Sequence, residues 1–278
     1  MENKIWFITG VSSGFGKQLA ELAAKMGATV IGTVRKTEQL ETVDNLVKGK
    51  TFGYLLDVNN HNHVTELVKV VTDKFGRIDV LVNNAGYGFC GAIEEASEQD
   101  VRDQMETNFF GAYAVTQAVL PLMRKQKSGH IIQISSQAGI NSSPGLGVYN
   151  ASKFALEGFS EALYHELLPL GINVSIVEPG PFRTDWAGGS MKYASSTIED
   201  YIPTAGRIKQ ILASINGAQP GDPFKGAEAI IHITNVENPP LRLALGKIAV
   251  DTIRKKLDWV AKELSDWETL SIGADYSN

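Results

Sequence analysis

Short apolar runs recur through the first two-thirds of the chain, at residues 5–9, 29–34, 51–56, 78–83, 130–135 and 173–178, each parted from the next by a longer amphipathic stretch. Apolar runs of this length suit strands buried on both faces, and the stretches between them have the period of helices. The alternation predicts an α/β fold: a doubly wound parallel sheet between two helical layers, three layers in all. Right-handed crossovers then bring the carboxyl ends of the strands to one edge, where ligand chemistry is expected.

Local signals punctuate the helices. Ser97 before Glu98-Gln99-Asp100 reads as an N-cap followed by acids that suit the helix dipole, and Gly76, Gly129 and Gly171 fall where helices should stop. His61 and His63 fall at a helix start. The pattern breaks after Pro179. Residues 185–223 mix Gly188-Gly189, serines and threonines with Trp186, Met191, Tyr193, Tyr201 and Ile202, and Phe224 follows; we read this segment as a partly helical, mobile lid. A helix begins at Pro223, residues 241–245 form a last strand, and an amphipathic helix covers about 251–264. One domain spans 1–278.

Composition narrows the class. A 278-residue chain with 43% hydrophobic and 21% charged residues is ordinary globular protein. Its net charge of −5 leaves no footprint for nucleic acid or an anionic membrane, and Arg254-Lys255-Lys256 reads as a solvated helix face. The single Cys90 excludes an internal disulfide, fits a reducing compartment and reads as apolar filler. The five histidines show no metal-ligand spacing. With neither a signal peptide nor a membrane-length apolar stretch, a soluble cytoplasmic protein is expected.

The first strand runs into Thr9-Gly10-Val11-Ser12-Ser13-Gly14-Phe15-Gly16 and then a helix. Glycines here allow a sharp turn and let backbone N–H groups approach a pyrophosphate at the helix N-terminus. The second strand ends Thr33-Val34-Arg35-Lys36, with no carboxylate until Glu38. A ribose 2′-hydroxyl calls for an acid at this place, whereas a 2′-phosphate calls for a cation. Arg35, assisted by Lys36 and Ser13, therefore points to NADP(H) in preference to NAD(H), with NAD(H) still possible.

Tyr149 and Lys153 lie four residues apart, on one face of a helix. An ammonium close to a phenol favours the phenolate, which would bring the tyrosine pKa down from about 10 and suit it to general acid/base work. Ser136, at the end of the fifth strand, could hydrogen-bond a substrate oxygen as charge develops there.

These residues together resemble the short-chain dehydrogenase/reductases over nearly the whole length. Thr9-Gly10, Gly14, Phe15 and Gly16 match that family's cofactor loop, and Asn83-Asn84-Ala85-Gly86 the segment after its fourth strand. Asn108, Ser136, Tyr149 and Lys153 match its catalytic tetrad. Asp57, followed by Val58, matches the position at the adenine, and Pro179-Gly180-Pro181-Phe182-Arg183-Thr184 the segment beside the nicotinamide, with Thr184 on the carboxamide. The resemblance implies a Rossmann-type fold and hydride transfer between nicotinamide and a carbonyl carbon, with Tyr149 exchanging the proton. It further implies Ser136 holding the oxygen, Lys153 on the ribose, and Asn108 holding a water that links the lysine to solvent.

The ending Leu241-Arg242-Leu243, Gly246-Lys247 and Trp267-Glu268 is similar to the branch of 17β-hydroxysteroid and retinol dehydrogenases and their bacterial relatives. Large apolar side chains in the lid suit a medium-sized lipophilic ketone, aldehyde or alcohol. The same fold hosts dinucleotide sensors, so a non-catalytic NADP(H)-binding regulatory module is the alternative. Apolar residues on more than one side of 111–123 and 151–168 suggest a homodimer or homotetramer.

Overall fold

The computed structural model describes residues 3–276. Among these, nine strands occur: β1 (Ile5–Ile8), β2 (Thr29–Val34), β3 (Thr51–Leu55), β4 (Val80–Asn83), β5 (Gly88–Cys90), β6 (Gly129–Ile134), β7 (Ile172–Pro179), β8 (Met191–Tyr193) and β9 (Arg242–Leu245). The helices are α1 (Gly14–Lys25), α2 (Leu40–Asp44), α3 (His61–Phe75), α4 (Glu98–Met105), α5 (Gly111–Gln126), α6 (Gly147–Leu167), α7 (Arg207–Ile215), α8 (Pro223–Ile233), α9 (Lys247–Asp266) and α10 (Glu268–Ile272).

Seven strands form one parallel sheet in the order β3-β2-β1-β4-β6-β7-β9. Side chains of β1 alternate between two cores. Trp6 and Ile8 pack with Leu19 of α1 and Ile230 of α8, while Ile5 and Phe7 pack with Val64 of α3, Val115 of α5 and Leu163 of α6. Both faces are thus covered, which is why the strands read as continuous apolar runs. Strand order reverses between β1 and β4, and in sheets of this kind the crevice for a ligand lies at the carboxyl ends of such a pair.

The punctuation holds at most places. Ser97 and Asp100 form a reciprocal capping box on α4, and Gly76 and Gly171 take left-handed φ of 77° and 73° after their helices. The histidine pair opens α3, whose N-cap is Asn60. Gly129 is a correction. Helix α5 ends instead on Lys127, at φ 53°, and Gly129 starts β6, where a Cβ would lie 2.5 Å from Met123 Sδ. The strand needs the absent side chain there more than the helix needs the cap.

The segment expected to be a lid is tied down at several points. Strand β8 pairs in parallel with β5, an added two-stranded sheet that the apolar pattern does not reveal. Glu95 accepts from the N–H of Ile198, and the Tyr201 hydroxyl donates to Glu94 at 2.7 Å. Beyond β9, α9 starts four residues before the expected 251 and runs two past 264. No helix among the described residues is long and apolar enough to cross a membrane.

Candidate active site

The turn after β1 is held by groups that have little else to do. Thr9 Oγ1 accepts from the N–H groups of Asn84 and Ala85 at 3.0 Å each, and Asn84 Nδ2 donates to the carbonyls of Thr9 and Gly10 at 2.9 and 2.8 Å. Gly10 needs its left-handed φ of 71° and its missing Cβ, which would sit 3.0 Å from Ala85 Cα. Gly16 is tighter still, since a Cβ would meet Gly10 O at 2.3 Å. The loop after β4 and the glycine turn are therefore one braced unit, and the Asn84 side chain is its brace.

Helix α1 opens from this turn without a side-chain cap on Ser13 and without an acid in its first turn. Its leading N–H groups face the crevice with the dipole unopposed, a fit for pyrophosphate. Ser12 and Ser13 are exposed there, and Arg35 and Lys36 are exposed just past β2. Across the crevice, a Cβ on Gly14 would lie 3.4 Å from Thr184 Cβ. These residues suit a nicotinamide dinucleotide stretched along the β1–β4 edge.

Other expected contacts sit differently. Phe15 and Phe182 stack on each other at 4.8 Å between ring centroids, and Gly226 of α8 makes room for Phe15, so only their backbones are free for a nucleotide. Val58 is buried against Gly111, while Asp57 is exposed and accepts from Asn59 N. Pro179 ends β7 in the buried layer, and Gly180 N–H donates to Leu245 O at 3.0 Å.

Asn108 stands in a π-helical turn, Glu106–Phe110, between α4 and α5. Such turns commonly mark functional places, because they swing a side chain out of helical register. Asn108 Oδ1 accepts from Tyr87 N–H at 3.0 Å, and Nδ2 donates to Tyr87 O and to Ser152 Oγ. A Cβ on Gly86 would lie 3.1 Å from Asn108 Oδ1 and 3.9 Å from Lys153 Nζ, so Gly86, Asn108 and Lys153 converge.

Tyr149 and Lys153 are both buried in α6. Ser136, beyond the end of β6 and not within it, accepts from Ala138 N–H at 3.1 Å and donates to Pro179 O at 3.4 Å. The expected lowering of the tyrosine pKa by Lys153 is corrected here. Burial pushes Tyr149 up to about 12, with the Ser136 hydroxyl pulling the other way. Lys153 Nζ lies 6.0 Å from the phenol ring centroid and gives its hydrogen bond to Ile134 O at 2.7 Å. Burial lowers the lysine itself to about 8, opposed by Glu157.

Trp186 of the lid closes the site, its ring 5.1 Å from that of Tyr149. Behind it Cys90 packs with Met191 and Leu212, the apolar filler expected of it. Tyr201 bonds to Glu94 at the rim, and Phe224 is exposed at the start of α8, so neither covers the phenol. Among the described residues no cluster suits a metal ion.

Sequence reasoning missed Glu157, Glu178 and Arg242. Arg242 Nη2 lies 3.2 Å from both Glu157 and Glu161, and its Nε 3.3 Å from Glu178. Burial raises both buried carboxyls, Glu178 to about 7. The four-residue spacing 149, 153, 157, 161 was the available signal.

Several known proteins resemble this chain over most of its length. The family model described as short chain dehydrogenase matches residues 4–193. Oxidoreductase BOA17 of Botryotinia fuckeliana is 41% identical over 98% of this chain and 99% of its own. A 3-ketodihydrosphingosine reductase of Bacteroides thetaiotaomicron is 39% identical over 96% and 97%. A short-chain dehydrogenase structure from Streptomyces avermitilis superposes with TM-score 0.93, at 42% identity and 98% coverage of each chain. A Burkholderia phymatum relative in complex with NAD gives TM-score 0.82 at 26% identity, covering 94% and 95%. ElxO with NADP bound gives 0.72 at 28%, covering 87% and 96%.

Proposed function

This chain belongs to the short-chain dehydrogenase/reductase family, enzymes acting on alcohol and carbonyl groups with a nicotinamide dinucleotide, and from that premise we propose an NADP(H)-dependent carbonyl reductase or alcohol dehydrogenase whose general acid/base is Tyr149. The observation that carries this reading is the burial of Tyr149 beside Ser136 and Lys153 under an apolar lid, next to the glycine turn. A regulatory module without turnover would have no use for that arrangement.

Bound nicotinamide dinucleotide supplies or accepts the hydride. Ser136 Oγ would hold the substrate oxygen, a role it can take by releasing Pro179 O. Tyr149 would pass its proton to that oxygen in reduction and take it back in oxidation. Lys153 would turn from Ile134 O to the ribose hydroxyls, bringing its charge nearer the phenol. Asn108 would hold the turn around Tyr87 and Gly86 that shapes the lysine's pocket, with a water beside it linking the lysine to solvent. Arg35 and Lys36 support a 2′-phosphate at the far end.

Trp186 over the phenol, backed by the apolar cluster of Cys90, Met191 and Leu212, supports a medium-sized lipophilic substrate. The name of the Bacteroides relative, 3-ketodihydrosphingosine reductase, points the same way. Exposed Phe110, Tyr113 and Phe154 support a homodimer or homotetramer through α5 and α6. Buried, unpaired Cys90 suits a cytoplasmic setting.

Tyr149→Phe tests the proton role. We expect turnover of a lipophilic carbonyl panel to fall by about 10²–10⁴-fold, with NADPH affinity nearly unchanged. Residual turnover within tenfold of the parent would overturn it.

A further inference from the structure

Helix α9 leaves the body of the protein almost at once. Ala249 is its one buried residue, and every residue from Leu257 to Tyr276 is exposed. A helical arm of this length gains little from propensity alone, so packing on something else is the usual source of its order. Its apolar positions are regular: Val250, Ile253, Leu257, Val260, Leu264 and Trp267 follow one another at spacings of three and four. That is a coiled-coil seam of about 26 Å, a narrower stripe than a helix needs to lie on a globular core. Leu257, Val260, Leu264 and Trp267 are 58%, 46%, 68% and 62% exposed.

The flanking charges choose the partner and its direction. Lys256 and Glu263 border the seam on one side, and neither makes an ion pair among the described residues. Suppose a second copy packs antiparallel, with Leu257 facing the partner's Val260 and Ile253 the partner's Leu264. Lys256 then falls opposite the partner's Glu263, twice, by symmetry. Sliding that pair by one heptad sets Glu263 against the partner's Glu263, and a parallel pair sets Glu263 against the partner's Glu268. Both alternatives bring like charges together. A lipid surface fits less well, because residues 247–276 carry five basic and six acidic side chains.

We propose that the α9 arm is a self-association surface through which two copies of this chain pair antiparallel, about a twofold axis between Leu257 and Val260. The contact is isologous, so it closes and does not propagate. It is separate from α5 and α6, and with its axis perpendicular to that of a dimer formed by those helices, the arms join two such dimers into one closed tetramer.

Sedimentation equilibrium of the full chain tests this, with NADPH binding as the control for folding. Leu257→Glu with Leu264→Glu should halve the assembly mass. Lys256→Glu and Glu263→Lys should each weaken association at least about tenfold, and the two together should restore it to within about threefold. A wild-type mass equal to that of the Leu257→Glu, Leu264→Glu variant at every concentration would overturn the proposal. So would a double charge reversal as weak as its singles. Binding to phosphatidylcholine or phosphatidylserine vesicles through the arm, with no arm-dependent change in mass, would assign the seam to lipid and overturn it equally.

Discussion

Replacing Lys153 by methionine should make the nucleotide-free protein more stable at neutral pH while destroying its activity. The ammonium is buried, and its pKa falls from 10.5 to about 8, so holding the charge costs about 3 kcal/mol even with Glu157 nearby. Methionine removes that cost and fills similar space. It also removes the 2.7 Å hydrogen bond to Ile134 O, a loss of about 1 kcal/mol. The net gain at pH 7 is about 2 kcal/mol. The sign depends on pH. A lysine with a lowered folded pKa burdens the protein fully below about 8, and the burden vanishes as pH rises past 10.5, where both states are neutral. Above that, only the lost hydrogen bond remains, and the variant should be the less stable by about 1 kcal/mol. Urea unfolding followed by circular dichroism at pH 7 and at about pH 10.5 reads both limits. A variant less stable at both, or a difference that ignores pH, would refute the reasoning.

Arg35→Ala should raise the dissociation constant for NADPH by about 10- to 100-fold, the worth of a lost charged hydrogen bond, and leave NADH alone; isothermal titration with both nucleotides measures it, and equal losses would reject Arg35 as the 2′-phosphate ligand. Trp186→Ala uncovers Tyr149, so kcat/KM for bulky lipophilic ketones should fall relative to small ones by about tenfold; a preference unchanged across a graded ketone series would take Trp186 out of the substrate site. His130, buried between β4 and β7, has its pKa lowered from 6.5 to about 4 by burial and Lys4. Its stabilising neutrality is complete above 6.5 and is lost as pH falls toward 4. The unfolding free energy of the parent should therefore drop by about 3 kcal/mol more over that window than that of His130→Gln. Parallel pH profiles for the two would contradict it.

Periodicity sufficed for the sheet because its central strands are apolar and buried on both faces and most strands lead into a helix. Glycines 10, 14 and 16 stood out because their spacing lies within one turn. What escaped the sequence depends on contacts between distant segments. Strands β5 and β8 have three residues each, too few for a period, and pair across a hundred positions. Gly129 is needed where β6 begins against Met123, a packing constraint no local rule for glycine contains. Asn108 matched by type, yet the π-helical turn that aims it has no sequence signature. The Tyr149 pKa went the wrong way for the same reason. Four-residue spacing brings Lys153 near, but the Trp186 ring that buries the phenol comes from a segment 37 positions further on.

One ridge of α6 explains how the site keeps its charges. Tyr149, Lys153, Glu157 and Glu161 follow at four-residue steps, so a single line of side chains runs from the buried phenol to an exposed carboxylate. Burial works against each charged form along it, raising Tyr149 and Glu157 and lowering Lys153. What opposes burial comes from neighbouring groups: Glu157 favours the ammonium of Lys153, and the Ser135 hydroxyl, then Arg242 and Lys153, favour the carboxylate of Glu157. Arg242 must serve Glu178 and Glu161 as well, and Glu178 rises to about 7 because burial, and then the charge of Glu157, outweigh the pull of Arg242. The charge of Lys153 is thus set in part from β9, through Glu157. With Trp186 over it, the phenol keeps its proton well above neutral pH, so under the role proposed for Tyr149 the resting site would hold the acid for carbonyl reduction. Oxidation by that route would require the proton to leave first, which burial of the phenol opposes and a turn of Lys153 from Ile134 toward it would favour.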